Sequence, residues 1–223
     1  MNLKTITVLI SKEFTIELRQ KYALGGMILY LVSSIFIVFM ALNLNNASIH
    51  PVIWNAILWI ILLFTAANSI AKSFIQEKKG ILLYYYIIAT PGEILFSKMI
   101  YNFLLMMFLI MAGVLIYSIV LGNPVQNMQV FSICVLLAAL GFSSTFTLIS
   151  SIASKASNSS TLMAILGFPI ILPILLMVLK VSKNAIDGLP NSNSFNELLT
   201  LLAVVIITIT TSLLLFPYLW KSS

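Results

Sequence analysis

The chain has 223 residues, of which 61% are hydrophobic and only 8% charged, with a formal net charge of +6. A soluble domain carries roughly 25% charged residues, so a water-soluble fold of this size is excluded, and the length suits one domain. The single cysteine, Cys134, excludes an intrachain disulfide and a cysteine-based metal site, and the basic excess reads as membrane topology rather than nucleic-acid binding.

Residues 3–20 read as an amphipathic helix lying on the membrane. Leu3, Ile6, Ile10 and Phe14 share one face of a 3.6-residue wheel, and Lys4, Lys12 and Arg19 gather on another. Glu13 and Glu17 fall near the apolar face and spoil the stripe. The pattern serves a plain lipid anchor or an anchor that also touches a partner protein. Charges at Lys4, Lys12, Glu13, Glu17, Arg19 and Lys21 break any signal-peptide core, so no cleavable leader is expected.

Crossing ~30 Å of hydrocarbon at ~1.5 Å per residue takes about 20 apolar residues. Six segments qualify, at about 25–43, 52–71, 99–121, 129–150, 160–181 and 198–218. No charge occurs between Met99 and Ser154, and Gly122-Asn123-Pro124 with Gln126-Asn127 divides that run into two helices. The expected architecture is therefore all-α and polytopic. A cytoplasmic N-terminus puts ten Lys and Arg residues inside and only Lys180 and Lys183 outside, so both termini are expected in the cytoplasm.

Between the second and third spans, residues 72–98 hold Lys72, Glu77, Lys78, Lys79, Glu93 and Lys98 around an apolar, aromatic stretch that includes Tyr84, Tyr85 and Tyr86. Pro91-Gly92 breaks the segment. Helix, turn and helix at the cytoplasmic surface would let it dock on a soluble motor, and an ordinary loop with an aromatic belt is the competing reading. The expected contact residues are Lys72, Glu77, Gly80, Tyr84 and Pro91. The third span carries Met106, Met107 and Met111, which suit either an adaptable surface or plain packing. Ala138, Ala139, Gly141, Ser143 and Ser144 in the fourth allow close helix approach, within the chain or at a dimer seam. Pro169 and Pro173 in the fifth favour a kink, either static or part of a gate. A long external loop is expected at about 182–197, with Ser194 or Asn196 capping the last helix.

The chain contains no GxxxxGK[ST] phosphate loop, no HExxH and no GxSxG, so it is expected to be a non-enzyme that does not itself hydrolyse ATP. Apart from Lys180 the six segments hold no ionisable Asp, Glu, Lys or Arg, which argues for energy supplied from outside the chain. His50, the lone histidine, has a chemistry that could ligate an iron porphyrin or serve as a loop residue. Lys180 and Lys183 suit either anionic groups or snorkelling to the interface.

KEFTIELRQKY near the start, Trp54, the KSFIQEKKGILLYYYIIATP segment, Ser97-Lys98 and ASKASNSSTLMAILGFPIILPILL occur in an order that resembles the CcmB family, membrane subunits of the heme exporter ABC complex. The resemblance implies six helices in an ABC-2-like exporter permease and a homodimer on two copies of the ATPase subunit CcmA. It further implies a bacterial inner membrane and work with CcmC, CcmD and the heme chaperone CcmE in c-type cytochrome biogenesis, with ATP bound only by the partner and its hydrolysis driving either export of heme or release of heme-loaded chaperone. Members often carry an arginine and an acidic-Gly pair near the coupling segment; here Lys72 stands for the first, and Lys78 and Lys79 separate Glu77 from Gly80. Two alternatives stay open: an ABC-2 permease for a lipid, drug or glycan, and an assembly subunit that never carries heme.

Overall fold

Hydrocarbon offers no partner to a backbone N–H or C=O, so an apolar chain crosses it only with its hydrogen bonds closed internally, and here it does so as helices. A computed structural model describes residues 3–19, 21–44, 49–70, 74, 89–154 and 159–221. Seven helices run α1 (Leu3–Arg19), α2 (Lys21–Leu44), α3 (Pro51–Ile70), α4 (Pro91–Leu121), α5 (Met128–Ala153), α6 (Ser159–Ile186) and α7 (Asn191–Lys221), with no strand among the described residues. Six of them, α2 to α7, are long and apolar enough to cross a membrane.

The helix ends follow local chemistry. α4 starts at Pro91, ahead of the expected Met99, because Pro91 takes the first helical position, where a missing N–H costs nothing. The Glu93 carboxylate then accepts the Thr90 N–H at 3.0 Å. Glu93 and Lys98 therefore sit on the first turns of a long helix rather than in a loop. The break between α4 and α5 falls where expected. Gly122 has φ 79°, and Asn127 caps α5 by accepting the Val130 N–H at 3.2 Å.

The long external loop does not exist. α6 continues through the polar residues to Ile186, and α7 starts at Asn191. Gly188, at φ 67°, closes α6, with the Leu189 N–H donating to Asn184 O at 3.1 Å. A side chain there would collide with Gln126, since a Cβ would run into its Oε1. With α7 starting so early, Ser194 and Asn196 lie inside the helix and do not cap it. Ser194 is instead fully buried, and its Oγ has no partner.

α5 occupies the centre and packs on α3, α4, α6 and α7. Its small residues explain that position. Ala138, Ala139, Gly141, Ser143 and Ser144 are all buried, and a Cβ on Gly141 would lie 2.9 Å from Ile174 Cγ2 on α6 and 3.3 Å from Val205 Cγ2 on α7. The stripe is used inside one chain. The methionines divide: Met106 is in the core and Met111 is exposed. Pro169 and Pro173 share the exposed face of an unbroken α6 with Ile165, Phe168 and Leu176.

Two indoles fill the middle of the bundle and are bonded at their nitrogens. Trp54 Nε1 donates to Gly122 O at 2.9 Å, and the Tyr117 hydroxyl donates to Trp54 O at 3.2 Å. Trp59 Nε1 donates to Ser182 Oγ at 2.9 Å, and Ser182 in turn donates to Asn55 Oδ1 at 2.7 Å. Asn55 Nδ2 reaches Leu179 O at 3.0 Å. This closed network is the reason α6 stays helical past the expected end of its span.

Ser182→Ala strands the Trp59 N–H and the Asn55 carbonyl together. It should cost about 1–2 kcal/mol in thermal or denaturant unfolding of the detergent-solubilised protein. Lys183→Ala, on the exposed neighbour, should stay within about 0.5 kcal/mol of the parent.

Candidate functional site

The charged residues of α1 that spoil its apolar stripe face the protein, not water. Ile6 and Leu9 are buried, and Glu13 and Glu17 are half-buried on the same side, which packs on α4. Lys4, Ser11, Thr15 and Arg19 are exposed, and so are the apolar Leu3, Phe14 and Leu18. α1 thus has one face for the chain, an adjoining apolar face and a polar face.

Lys98, on the second turn of α4, is the counterpart of Glu13. Its side chain is 1% exposed, and its Nζ lies 3.2 Å from Glu13 Oε1. The same oxygen accepts Lys12 Nζ at 3.0 Å. The Lys98 ammonium also stands over the Phe74 ring, 4.8 Å from its centroid. Removing an ammonium from water costs several kcal/mol, so it is tolerated only where a counter-charge and an aromatic face replace the lost hydration.

Phe74 anchors the far side of this site. Its N–H donates to Ser150 Oγ at 3.0 Å, at the end of α5, and its ring packs 5.4 Å from that of Phe216 on α7. Leu9, Phe74, Ile94, Leu95, Met99 and Phe216 form a small apolar core separate from the main one. One turn further along α4, Asn102 Nδ2 donates to Thr147 Oγ1 at 2.8 Å. Five elements (α1, Phe74, α4, α5 and α7) therefore meet around one buried ammonium.

The two carboxylates on α1 are pushed in opposite directions. Burial raises the Glu13 pKa, but Lys98 and then Lys12 outweigh it and hold the carboxyl below its ordinary range. Burial pushes Glu17 up, with repulsion from Glu13 adding to it, and the Tyr101 hydroxyl, which donates to this carboxylate, opposes both. Glu17 Oε1 is buried without a partner among the described residues. Phe14 packs edge-on against the Tyr101 ring at 5.0 Å.

Of the residues expected to contact a motor, Lys72, Glu77, Gly80 and Tyr84 lie outside the described residues. Pro91 starts α4, two turns before Lys98. Pro169 and Pro173 are not part of the cluster; they lie on the exposed face of α6. His50 is exposed just ahead of α3, and its Nδ1 accepts the Val52 N–H at 3.4 Å, which is a helix-capping contact. Lys180 pairs with Glu197 at 3.2 Å, tying α6 to α7. Sequence reasoning missed Glu13, Phe74 and Lys98 as a unit. The available signal was the acidic pair on the apolar face of α1, because a carboxylate there needs a cation brought from elsewhere in the chain.

The family model described as CcmB protein matches residues 4–215. No curated protein and no solved structure matches the chain.

The two carboxylates set opposite pH responses. Glu13 contributes stability that is present above the ordinary carboxylate pKa and is lost as pH falls through its depressed folded value. Glu17 does the reverse: stability rises as pH falls through its raised folded value. Glu13→Gln should remove the acid-side loss and cost about 3 kcal/mol at neutral pH, the low end for a broken buried pair because Glu13 keeps some exposure. Glu17→Gln should raise the melting temperature at pH 7. Melting curves of both variants between pH 3 and pH 8 check this.

Proposed function

The chain belongs to the CcmB family, and we propose that it converts ATP hydrolysis by a separate subunit into movement of membrane helices. Membership makes it a membrane subunit of a heme exporter in cytochrome c biogenesis, a permease within a system that includes an ATPase partner. The single observation that carries the proposal is the match over residues 4–215, which takes in α1, all six long helices and the α3–α4 connection.

In this reading the ATPase is CcmA, and it docks on the α3–α4 connection through Lys72, Glu77, Gly80, Tyr84 and the turn at Pro91. Both chain ends face the cytoplasm of an inner membrane, and the subunit acts as a homodimer alongside CcmC, CcmD and the heme chaperone CcmE. The motor supplies the energy. Its strokes reach the spans through the helix starts at the α1 end of the bundle. The charge pattern of the connection supports the docking, and the ten-to-two bias of basic residues supports the orientation.

A second reading is favoured by the packing of the main core. Trp54, Trp59, Tyr117 and Phe142 are each 1% exposed or less. A single copy filled in this way suits a subunit that drives release of heme-loaded chaperone without carrying heme itself. Heme absorbance of the purified complex distinguishes the two. A Soret band that shifts with His50→Ala supports direct carriage, and a band that follows CcmC and CcmE alone supports the second reading.

Glu77→Lys and Gly80→Pro should each reduce co-purification of the ATPase by about tenfold, equivalent to ~1.4 kcal/mol, or lower its turnover in the assembled complex correspondingly. Wild-type assembly and turnover in both variants would remove the docking assignment.

A further inference from the structure

Of the α3–α4 connection the structure describes Phe74, its outgoing foot, and Ala89 and Thr90, its returning foot, and Lys98 of α4 touches the first. The Lys98 Nζ stands 4.8 Å from the Phe74 ring centroid at the outgoing foot. Lys98 itself lies two turns after Pro91, on the helix that begins at the returning foot. The same ammonium is 3.2 Å from Glu13 of α1. An apolar shell of Leu9, Ile94, Leu95 and Phe216 seals the junction.

We propose that Lys98 is the positioning residue of the connection, holding its two feet at a fixed separation and tying them to α1 through Glu13. The inference rests on the docking reading above and adds to it where the docking element gets its rigidity. A flexible hairpin would absorb a push from a motor. A connection whose Phe74 is held to α4 by one buried cation passes the push to α4, and through Glu13 to α1. Burial makes the contact discriminating. In a water-poor site the ammonium cannot exchange its partners for solvent, so the aromatic face and the carboxylate act together. Phe74 adds a second constraint, since its N–H is bonded to α5 and its ring packs on α7. The feet are thereby referenced to the central helix as well.

The test uses the full complex with its ATPase and reads three quantities: melting temperature, ATPase co-purified, and turnover per assembled complex. Lys98→Arg should retain coupling. Lys98→Glu and Glu13→Lys should each lower co-purification or turnover by about fivefold or more, the range of a coupling free energy between linked sites. The exchanged pair, Glu13→Lys with Lys98→Glu, should recover most of that loss.

Single reversals also disturb folding, so the neutral pair Glu13→Gln with Lys98→Met is the decisive variant. It removes both charges of the pair together and is expected to melt near the parent while still losing coupling. Parental coupling in this neutral pair overturns the proposal. Gly80→Pro, which alters the connection without touching Lys98, separates the two levels. If Gly80→Pro lowers turnover and the neutral pair does not, only the role of Lys98 falls. If neither does, the docking reading falls and takes this inference with it.

Discussion

A polar atom carried into a lipid-embedded bundle must be paired inside the protein, because the surroundings offer no substitute for water. That constraint organises both ends of this molecule. Away from α1, Trp59, Ser182 and Asn55 close a loop of hydrogen bonds that fastens α3 to α6. At the α1 end, Lys98 is buried to the same degree but carries a full charge, and it draws α1 and Phe74 onto α4. The first solution is neutral and fully bonded. The second is ionic and leaves Glu17 Oε1 and its raised carboxyl beside it. An ionic junction can be rearranged by a change of charge or position. A closed amide–hydroxyl–indole network resists it.

Between these ends, helix association has little hydrophobic drive, since lipid tails are as apolar as the side chains. Close approach must supply the attraction through van der Waals contact. Gly141 lets Ile174 and Val205 come near the α5 backbone, and the neighbouring alanines and serines continue the contact surface. α5 is consequently the reference against which the other helices are set. Its far end bonds Phe74 through Ser150, so this residue of the α3–α4 connection is held to the most buried helix of the bundle.

This arrangement gives membership in the CcmB family a physical content. A permease subunit driven by a partner's ATPase needs a stiff path from the docking element to the membrane helices. The meeting of α1, α4, α5 and α7 around Lys98 and Phe74 is the path that the proposed coupling uses. The exposed apolar residues of α1, Leu3, Phe14 and Leu18, place a lipid-compatible surface on the same lever.

Hydropathy and helix-breaking chemistry act over a few residues, so the chain itself determined the six long helices, the division at Gly122–Asn127 and the amphipathic character of α1. It also showed the anomaly of Glu13 and Glu17 without resolving it. Only the tertiary structure decided that Glu13 meets Lys98, a contact between residues 85 positions apart. The continuation of α6 to Ile186 belongs to the same category: residues 182–186 look like a polar loop ahead of the turn signal at Asp187-Gly188-Leu189-Pro190 until Trp59 and Asn55, more than 120 positions earlier, satisfy Ser182 within a helix. Ser194 likewise looks like a cap until the early start of α7 buries it. In each case a polar side chain reads as solvent-exposed from its neighbours in sequence, and packing against distant parts of the chain reverses that reading, with a partner that replaces water for Glu13 and Ser182 and without one among the described residues for Ser194.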